Sequence, residues 1–251
     1  MYFLIMILSW SFFGGPQVFN LSIGIQEAYA AFPSVLGTQP SETASDCSSC
    51  TITLPANIAA GDLIIAFLAQ DKNYTATWPS PWVELVDQAN STAVSLHVGY
   101  LIATGGETSV IVTTSAAERT QHYAIRISAA SWHGTTPPEK NLSGVTADTG
   151  SSGTPNSGSL TPSWGSADTL WISTLAMADP AVQFPVTGWP TNYTDNNLSN
   201  GTGDNSTAGI ALATRNLAAT TEDPGAFTVT GSEAWAASTI AVRPSANTTA
   251  H

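Results

Sequence analysis

This sequence predicts an all-β fold: an antiparallel β-sandwich of jelly-roll type, with about ten to twelve strands and an internal duplication. Three observations lead there. No long stretch has helical periodicity, whereas strand-length apolar runs recur along the chain. Turn signals separate those runs, as at Pro55-Ala56-Asn57, Gly105-Gly106, Pro137-Pro138 and Asp223-Pro224-Gly225. Finally, the second half repeats landmarks of the first in the same order.

The repeat is visible residue by residue. Ala60-Gly61-Asp62-Leu63-Ile64-Ile65-Ala66-Phe67-Leu68 returns as Ala167-Asp168-Thr169-Leu170-Trp171-Ile172-Ser173-Thr174-Leu175. Trp78-Pro79 returns as Trp189-Pro190, and the Asn-Ser-Thr-Ala at Asn90 to Ala93 returns at Asn205 to Ala208. Leu101 to Thr104 and Ser109 to Thr113 are answered by Leu217 to Thr220 and Ala226 to Thr230. Duplicating a strand unit builds a scaffold rather than a single catalytic centre. The halves fall at about residues 31–143 and 158–244, and one interleaved, pseudo-symmetric sandwich is favoured over two tandem ones.

Taken in order, residues 1–30 are a signal-like leader. Tyr2 to Phe13 is almost wholly apolar, and Ala28-Tyr29-Ala30 supplies a small-x-small cleavage site. One departure from the signal pattern is that no Lys or Arg precedes the run. The run is also short and interrupted at Gly14, Gly15 and Pro16, so no stable membrane span is expected unless the leader is retained. Cleavage near Ala30 would make the protein secreted. If retained, the segment would be an anchor, or Tyr2, Phe3, Leu4, Ile5, Met6, Ile7 and Leu8 would form a strand donated to a neighbour's sheet. Cys47 and Cys50 are the only cysteines, and in an exported chain they read as a small disulfide closing a turn.

Thr51 to Leu54 reads as a short strand, and the unbroken apolar run Leu63 to Ala69 as a central strand buried on both faces. Val94, Leu96, Val98, Tyr100 and Ile102 alternate with Ser95, His97, Gly99 and Leu101, predicting one apolar face, with His97 and later His122 on outer faces. Val110 to Thr114 and Tyr123 to Ser128 follow, and Gly144 to Ser163 reads as a long connection. The second set is Leu170 to Met177, Ala208 to Thr214, Phe227 to Thr230 and Ala236 to Arg243, with residues 245–251 an unstructured tail.

Composition narrows the function classes. Only 10% of the 251 residues are charged and 43% are hydrophobic, a texture of extracellular β proteins in which Ser, Thr and Asn cover the surface. The net charge is −12, and the six basic residues are scattered, which excludes a phosphate-neutralising nucleic-acid interface.

Candidate sites are few. Trp78 and Trp82, with Asp71 and Asn73, form the best sugar-stacking guess, set against the simpler assignment of the Trp-Pro units to core packing. Nine Asn-x-Ser/Thr sequons occur, at Asn20, Asn73, Asn90, Asn141, Asn192, Asn197, Asn200, Asn205 and Asn247. Four of these crowd into Asn192 to Thr207, which reads as an exposed polar loop. The same loop carries Asp195, Asn196 and Asp204, oxygen ligands suited to Ca²⁺, but Asn200 stands where an EF-hand loop needs glycine. No other cofactor or metal is expected. No two carboxylates are marked as an acid/base pair, and His97, His122 and His133 carry no catalytic motif.

The stretches Ala31 to Val35, Leu54 to Ile65 and Trp78-Pro79-Ser80-Pro81-Trp82, with Ser163 to Trp171 and Glu222 to Phe227, carry a resemblance. Over Ala31 to Pro244 the chain resembles uncharacterised β-sandwich proteins of marine phage and environmental sequence sets. That resemblance implies a virion-surface or tail-fibre role and brings no catalytic residues with it. The leader is a departure from it and favours a cell-exported relative. The expected function is therefore a non-enzymatic, exported structural subunit of an extracellular fibre or filament, its main partner being itself. Alternatives are a phage virion decoration or tail-fibre module, and a carbohydrate-binding module partnered by cell-surface glycans.

Overall fold

The structure is a computed structural model. It describes residues 31–43, 45–141, 148–178, 186–200 and 208–246, with backbone only for 195–200. The expectations for the leader, its donor strand Tyr2 to Leu8, Asn20, Asn205, Asn247 and the tail from 247 onward lie outside the described residues. No α-helix occurs among those described, and none of them forms a helix long and apolar enough to cross a membrane. The fold is all-β with several antiparallel sheets.

The first half contains β1 (Val35–Glu42), β2 (Cys47–Thr53), β3 (Leu63–Asp71), β4 (Ala76–Thr77), β5 (Val83–Asn90), β6 (Val94–Ile102), β7 (Ser109–Glu118) and β8 (Thr120–Ile127). They form a five-stranded sheet ordered β1-β8-β3-β6-β5 and a three-stranded sheet ordered β2-β7-β4. β3 lies in the middle because each of its nine residues is buried, a burden only a central strand covered on both faces can carry. Asp62 secures the turn into it. Its carboxylate accepts from the backbone N–H of Ala59 and Ala129 and from Arg126 Nε at 2.6 Å.

The rest of the chain contains β9 (Glu139–Lys140), β10 (Thr149–Ser151), β11 (Ala167–Met177), β12 (Val186–Gly188), β13 (Asp195–Asn200), β14 (Gly209–Ala219), β15 (Thr228–Val229) and β16 (Ala234–Val242). Its large sheet runs β10-β16-β11-β14-β13, with β9 also on β16, and β12 pairs with β15. The landmark repeat equates β3 with β11 and β6 with β14. Under that equation the order β1-β8-β3-β6-β5 maps strand for strand onto β10-β16-β11-β14-β13. The smaller sheets correspond too. β7 pairs with β2 and β4, while β15 pairs with β12, and the N–H groups of Phe227, just before it, and Val229, within it, donate to the carbonyls of Pro155 and Gly153.

The alternation of side chains across each central strand builds the cores. Leu63, Ile65 and Phe67 of β3 meet Leu170 and Ile172 of β11, Leu212 of β14 and Ile240 of β16 in one cluster shared by the two large sheets. The opposite face of β3, with Ile64, Ala66 and Leu68, packs on Ile52 of β2, Val110 and Val112 of β7, and Trp78. Leu175 and Met177 of β11 likewise pack on Phe227 and on Val229 of β15. Across the shared cluster, β5 lies against β10 and β16, and β1 against β13, so equivalent strands sit at opposite ends.

Four expectations are corrected. The halves do not interleave: each large sheet draws its strands from one side of residue 138. Strand order in space was outside the reach of a linear repeat. His97 and His122 are not on outer faces: both are fully buried, as is Ser95, and Leu101 is nearly so, so the second face of β6 is covered as well as the apolar one. Alternation shows which residues share a face, not what covers that face. The Gly144 to Ser163 connection contains β10 and a bridge from Leu160 to Glu222. Finally, the expected loop at Asn192 to Thr207 contains β13, paired with β14, while 201–207 lie outside the described residues. Both missed strands are short or polar and form through backbone pairing that leaves no periodic signal.

Candidate functional site

The sugar-stacking candidates all sit where β3 ends and the chain returns through β4 to β5. Trp78 is a core residue, 8% exposed. Its indole lies flat on Gly99 of β6, so close that a Cβ there would stand 2.5 Å from the ring. Glycine at 99 is therefore a packing requirement, since any side chain would displace the indole. Trp82 is half-buried and stacks on Trp78, with ring centroids 5.5 Å apart and planes inclined by 25°. The Pro79 carbonyl holds it by accepting the Trp82 N–H at 2.8 Å, and the Ser80–Pro81 peptide between them is cis. Asp71 is buried with Lys72 Nζ 3.3 Å from Oδ2, whereas Asn73 is exposed. The structure thus joins the two indoles, turns Asp71 inward and Asn73 outward, and leaves Trp82 the more accessible ring.

Behind the indoles is a polar network that no sequence motif announces. Gln70 Nε2 donates to the Tyr74 carbonyl and lies 3.0 Å from His97 Nε2. His97 Nδ1 faces the exposed Asp87 at 3.3 Å. Burial lowers the His97 pKa, while the Asp87 carboxylate and the Tyr74 carbonyl oppose that shift. Two strands away, also beside Leu68, His122 lies between Ser41 Oγ (3.1 Å from Nδ1) and Thr120 Oγ1 (2.6 Å from Nε2). Burial pushes its pKa down to about 3. One hydroxyl can donate to the neutral ring and the other accept from it, so these contacts hold strands together without a charge. The only sequence signal was two histidines in apolar strands.

Cys47 and Cys50 are joined by a disulfide, Cα to Cα 5.3 Å. Both lie within β2, at the register shift between Cys47 and Ser49, rather than in a turn ahead of the strand. Among the described residues no group of three or more His, Cys, Asp or Glu is placed to hold a metal ion. The side chains proposed for Ca²⁺ at Asp195, Asn196, Asn197 and Asn200, and residue Asp204, lie outside the description.

The described sequons divide sharply. Asn73 and Asn192 are exposed. Asn90 Nδ2 is engaged by the carbonyls of Gly150 at 2.6 Å and Trp235 at 3.2 Å, tying β5 to the other large sheet. Asn141 is buried, its Nδ2 donating to Asp148 Oδ1 at 2.9 Å and its Oδ1 accepting from Ser238 Oγ and Thr239 N–H. Asn141 is thereby withdrawn as a glycosylation candidate, because the nitrogen that would carry the sugar is inside the fold. Folded protein secreted from a glycosylating host is expected to carry glycan at Asn73 and Asn192 and none at Asn141. Site-resolved glycopeptide mass spectrometry checks this, and an occupied Asn141 would show that the pair with Asp148 does not form.

No family model matches this chain, and neither the curated proteins nor the solved structures contain a match to it.

Proposed function

We propose that this chain is a non-enzymatic, exported structural subunit of an extracellular fibre or filament, built as an internally duplicated β-sandwich of jelly-roll type. The observation that carries the proposal is the strand order repeated in two large sheets that share one core. It makes a rigid block whose smaller sheets face away from each other, a shape suited to serial contact with further copies. The buried histidines and the Asn141–Asp148 pair serve strand placement in this picture, not chemistry.

The edges of the first large sheet are poor places for a neighbour to pair. β1 carries Pro40, a register shift between Val35 and Gly37, and a terminal Glu42. β5 carries a register shift between Glu84 and Val86 and exposes both Glu84 and Asp87. Prolines, bulges and charges of this kind block edge-to-edge addition. Neighbouring copies would meet through sheet faces, or through the donated strand Tyr2 to Leu8. Size-exclusion chromatography with light scattering on the natively exported chain is expected to show a large, ordered species. Deleting residues 1–30 separates the two routes, abolishing assembly if the strand is donated and leaving it intact if faces suffice. A clean monomer of the full chain would refute the structural-subunit proposal. Recovery in purified virus particles rather than cell envelopes would move the assembly to a virion.

A further inference from the structure

Only one face of the β2-β7-β4 sheet is used by the core. Cys50, Ile52, Val110 and Val112 point inward, and alternation turns their neighbours out to solvent. The outward residues stand in ranks across the strands. Thr53 pairs with Ser109, Thr51 pairs with Ile111, and Ser49 and Thr77 flank Thr113. All seven are exposed. Ile111 stands in the middle rank and, at 54%, is the most exposed large hydrophobic residue among those described. The charges stay at the two ends of the sheet. At one end Asp46 precedes β2 and the half-buried Glu118 closes β7. At the other is Glu107, whose carboxylate accepts from the N–H groups of Thr104 and Gly105.

We propose that a second copy of the chain docks on this face through its own β2-β7-β4 face, about a two-fold axis near Ile111. The docking rests on the structural-subunit reading and supplies a contact which that reading requires. Charge selects the surface. The chain carries a net charge of −12, so two copies repel wherever carboxylates oppose one another. Glu42 on β1 and Glu84 and Asp87 on β5 are exposed at the edges of the first large sheet, where bulges also block pairing. The ranked face brings no charged side chain to a partner. Chemistry selects a like face as the occupant. Each Ser or Thr hydroxyl both donates and accepts, so a hydroxyl-covered surface complements its own copy. A surface of carboxylates or ammonium groups cannot do this. Ile111 then meets its twin at the centre and loses water there, inside a polar rim, which is the usual anatomy of a protein interface. A two-fold contact of this kind uses the same patch on both copies.

The test compares the full chain with its Ile111→Glu and Ile111→Lys variants, alone and in equimolar mixture, by size-exclusion chromatography with light scattering. Either substitution sets like charges across the axis and should lower the assembled mass by about half or more. The mixture places Glu opposite Lys and should restore the mass. Ile111 points to solvent, so both variants should melt with the parent, and Thr51→Glu in the same rank should repeat the loss. Added salt should raise the parent's mass, because it screens the repulsion between copies and the contact holds no ion pair to weaken. A parent that assembles and keeps its mass in both Ile111 variants would overturn this contact and leave the structural-subunit reading standing. Loss in both variants without recovery on mixing would overturn the two-fold arrangement. A monomeric parent would overturn both readings.

Discussion

Replacing Trp132 by alanine is expected to cost about 3–5 kcal/mol of folding stability, the range for deleting a large buried aromatic side chain. Trp132 is 2% exposed and belongs to the cluster shared by the two large sheets. Its Nε1 donates to the Gly61 carbonyl at 3.0 Å, so truncation leaves both a cavity and an unpaired acceptor at the turn into β3. The position also ties the chain as it crosses between halves. Trp132 bridges to Pro244, His133 N–H donates to the Arg243 carbonyl, and Ser245 N–H donates to that of Ser131. Trp132→Phe keeps most of the volume and loses mainly the hydrogen bond, which puts it near 1 kcal/mol. Urea unfolding monitored by circular dichroism measures both variants, with an unchanged slope marking a pure stability effect. A loss below about 1 kcal/mol for Trp132→Ala would mean that the cavity collapses and the two sheets are not held by this residue.

The same residue shows what the sequence could and could not disclose. Trp132-His133-Gly134 reads as a turn after a strand, and the backbone does turn there, with Gly134 at φ 83°. That the indole would reach back under β3 depends on sheet packing that no local pattern records. Central strands were the legible part. Leu63 to Ala69 is a continuous apolar run, and Leu170 to Met177 is one broken only by Ser173 and Thr174, because both faces of β3 and β11 are buried. Peripheral strands were not: β10 is Thr-Gly-Ser, and β13 begins Asp-Asn-Asn, compositions that ordinarily mark loops. The duplication was legible as order along the chain. That the two large sheets share one buried cluster, with β1 near β13 and β5 near β10, was not. The candidate site was less legible still. Trp78 and Trp82 do lie together, but the Gly99 that seats Trp78 is two turns further along the chain, inside β6. Residues as distant as Ser34 and Asn216 line one cleft. Which of them come together is a relation between elements rather than a property of either one.

Acidification from pH 7 to pH 5 is expected to remove about 2 kcal/mol of stability through His122 alone. In the fold this ring is fully buried between two hydroxyls, and burial holds its pKa near 3. In the unfolded chain it returns to the ordinary value of 6.5. Between those values the unfolded state binds the extra proton, so stability rises with pH across the window. The contribution is whole above pH 6.5 and drains away as the pH falls toward 3. His97 adds to the same slope, since burial lowers its pKa too, but the Asp87 carboxylate works against the shift. Asp62 acts in the same sense at lower pH. Burial raises its pKa, yet the N–H groups of Ala59 and Ala129 and the Arg126 guanidinium outweigh that and hold it below the usual carboxylate value. Its stabilisation is lost only as the pH falls through that depressed pKa. His122→Gln retains groups that can bond Ser41 and Thr120 and cannot take up the proton. The variant is therefore expected to lose much less stability between pH 7 and pH 5 than the parent. Urea midpoints at the two pH values give the comparison directly. Equal acid sensitivity in the two proteins would show that His122 does not cause the acid loss and that its ring is solvated in the fold.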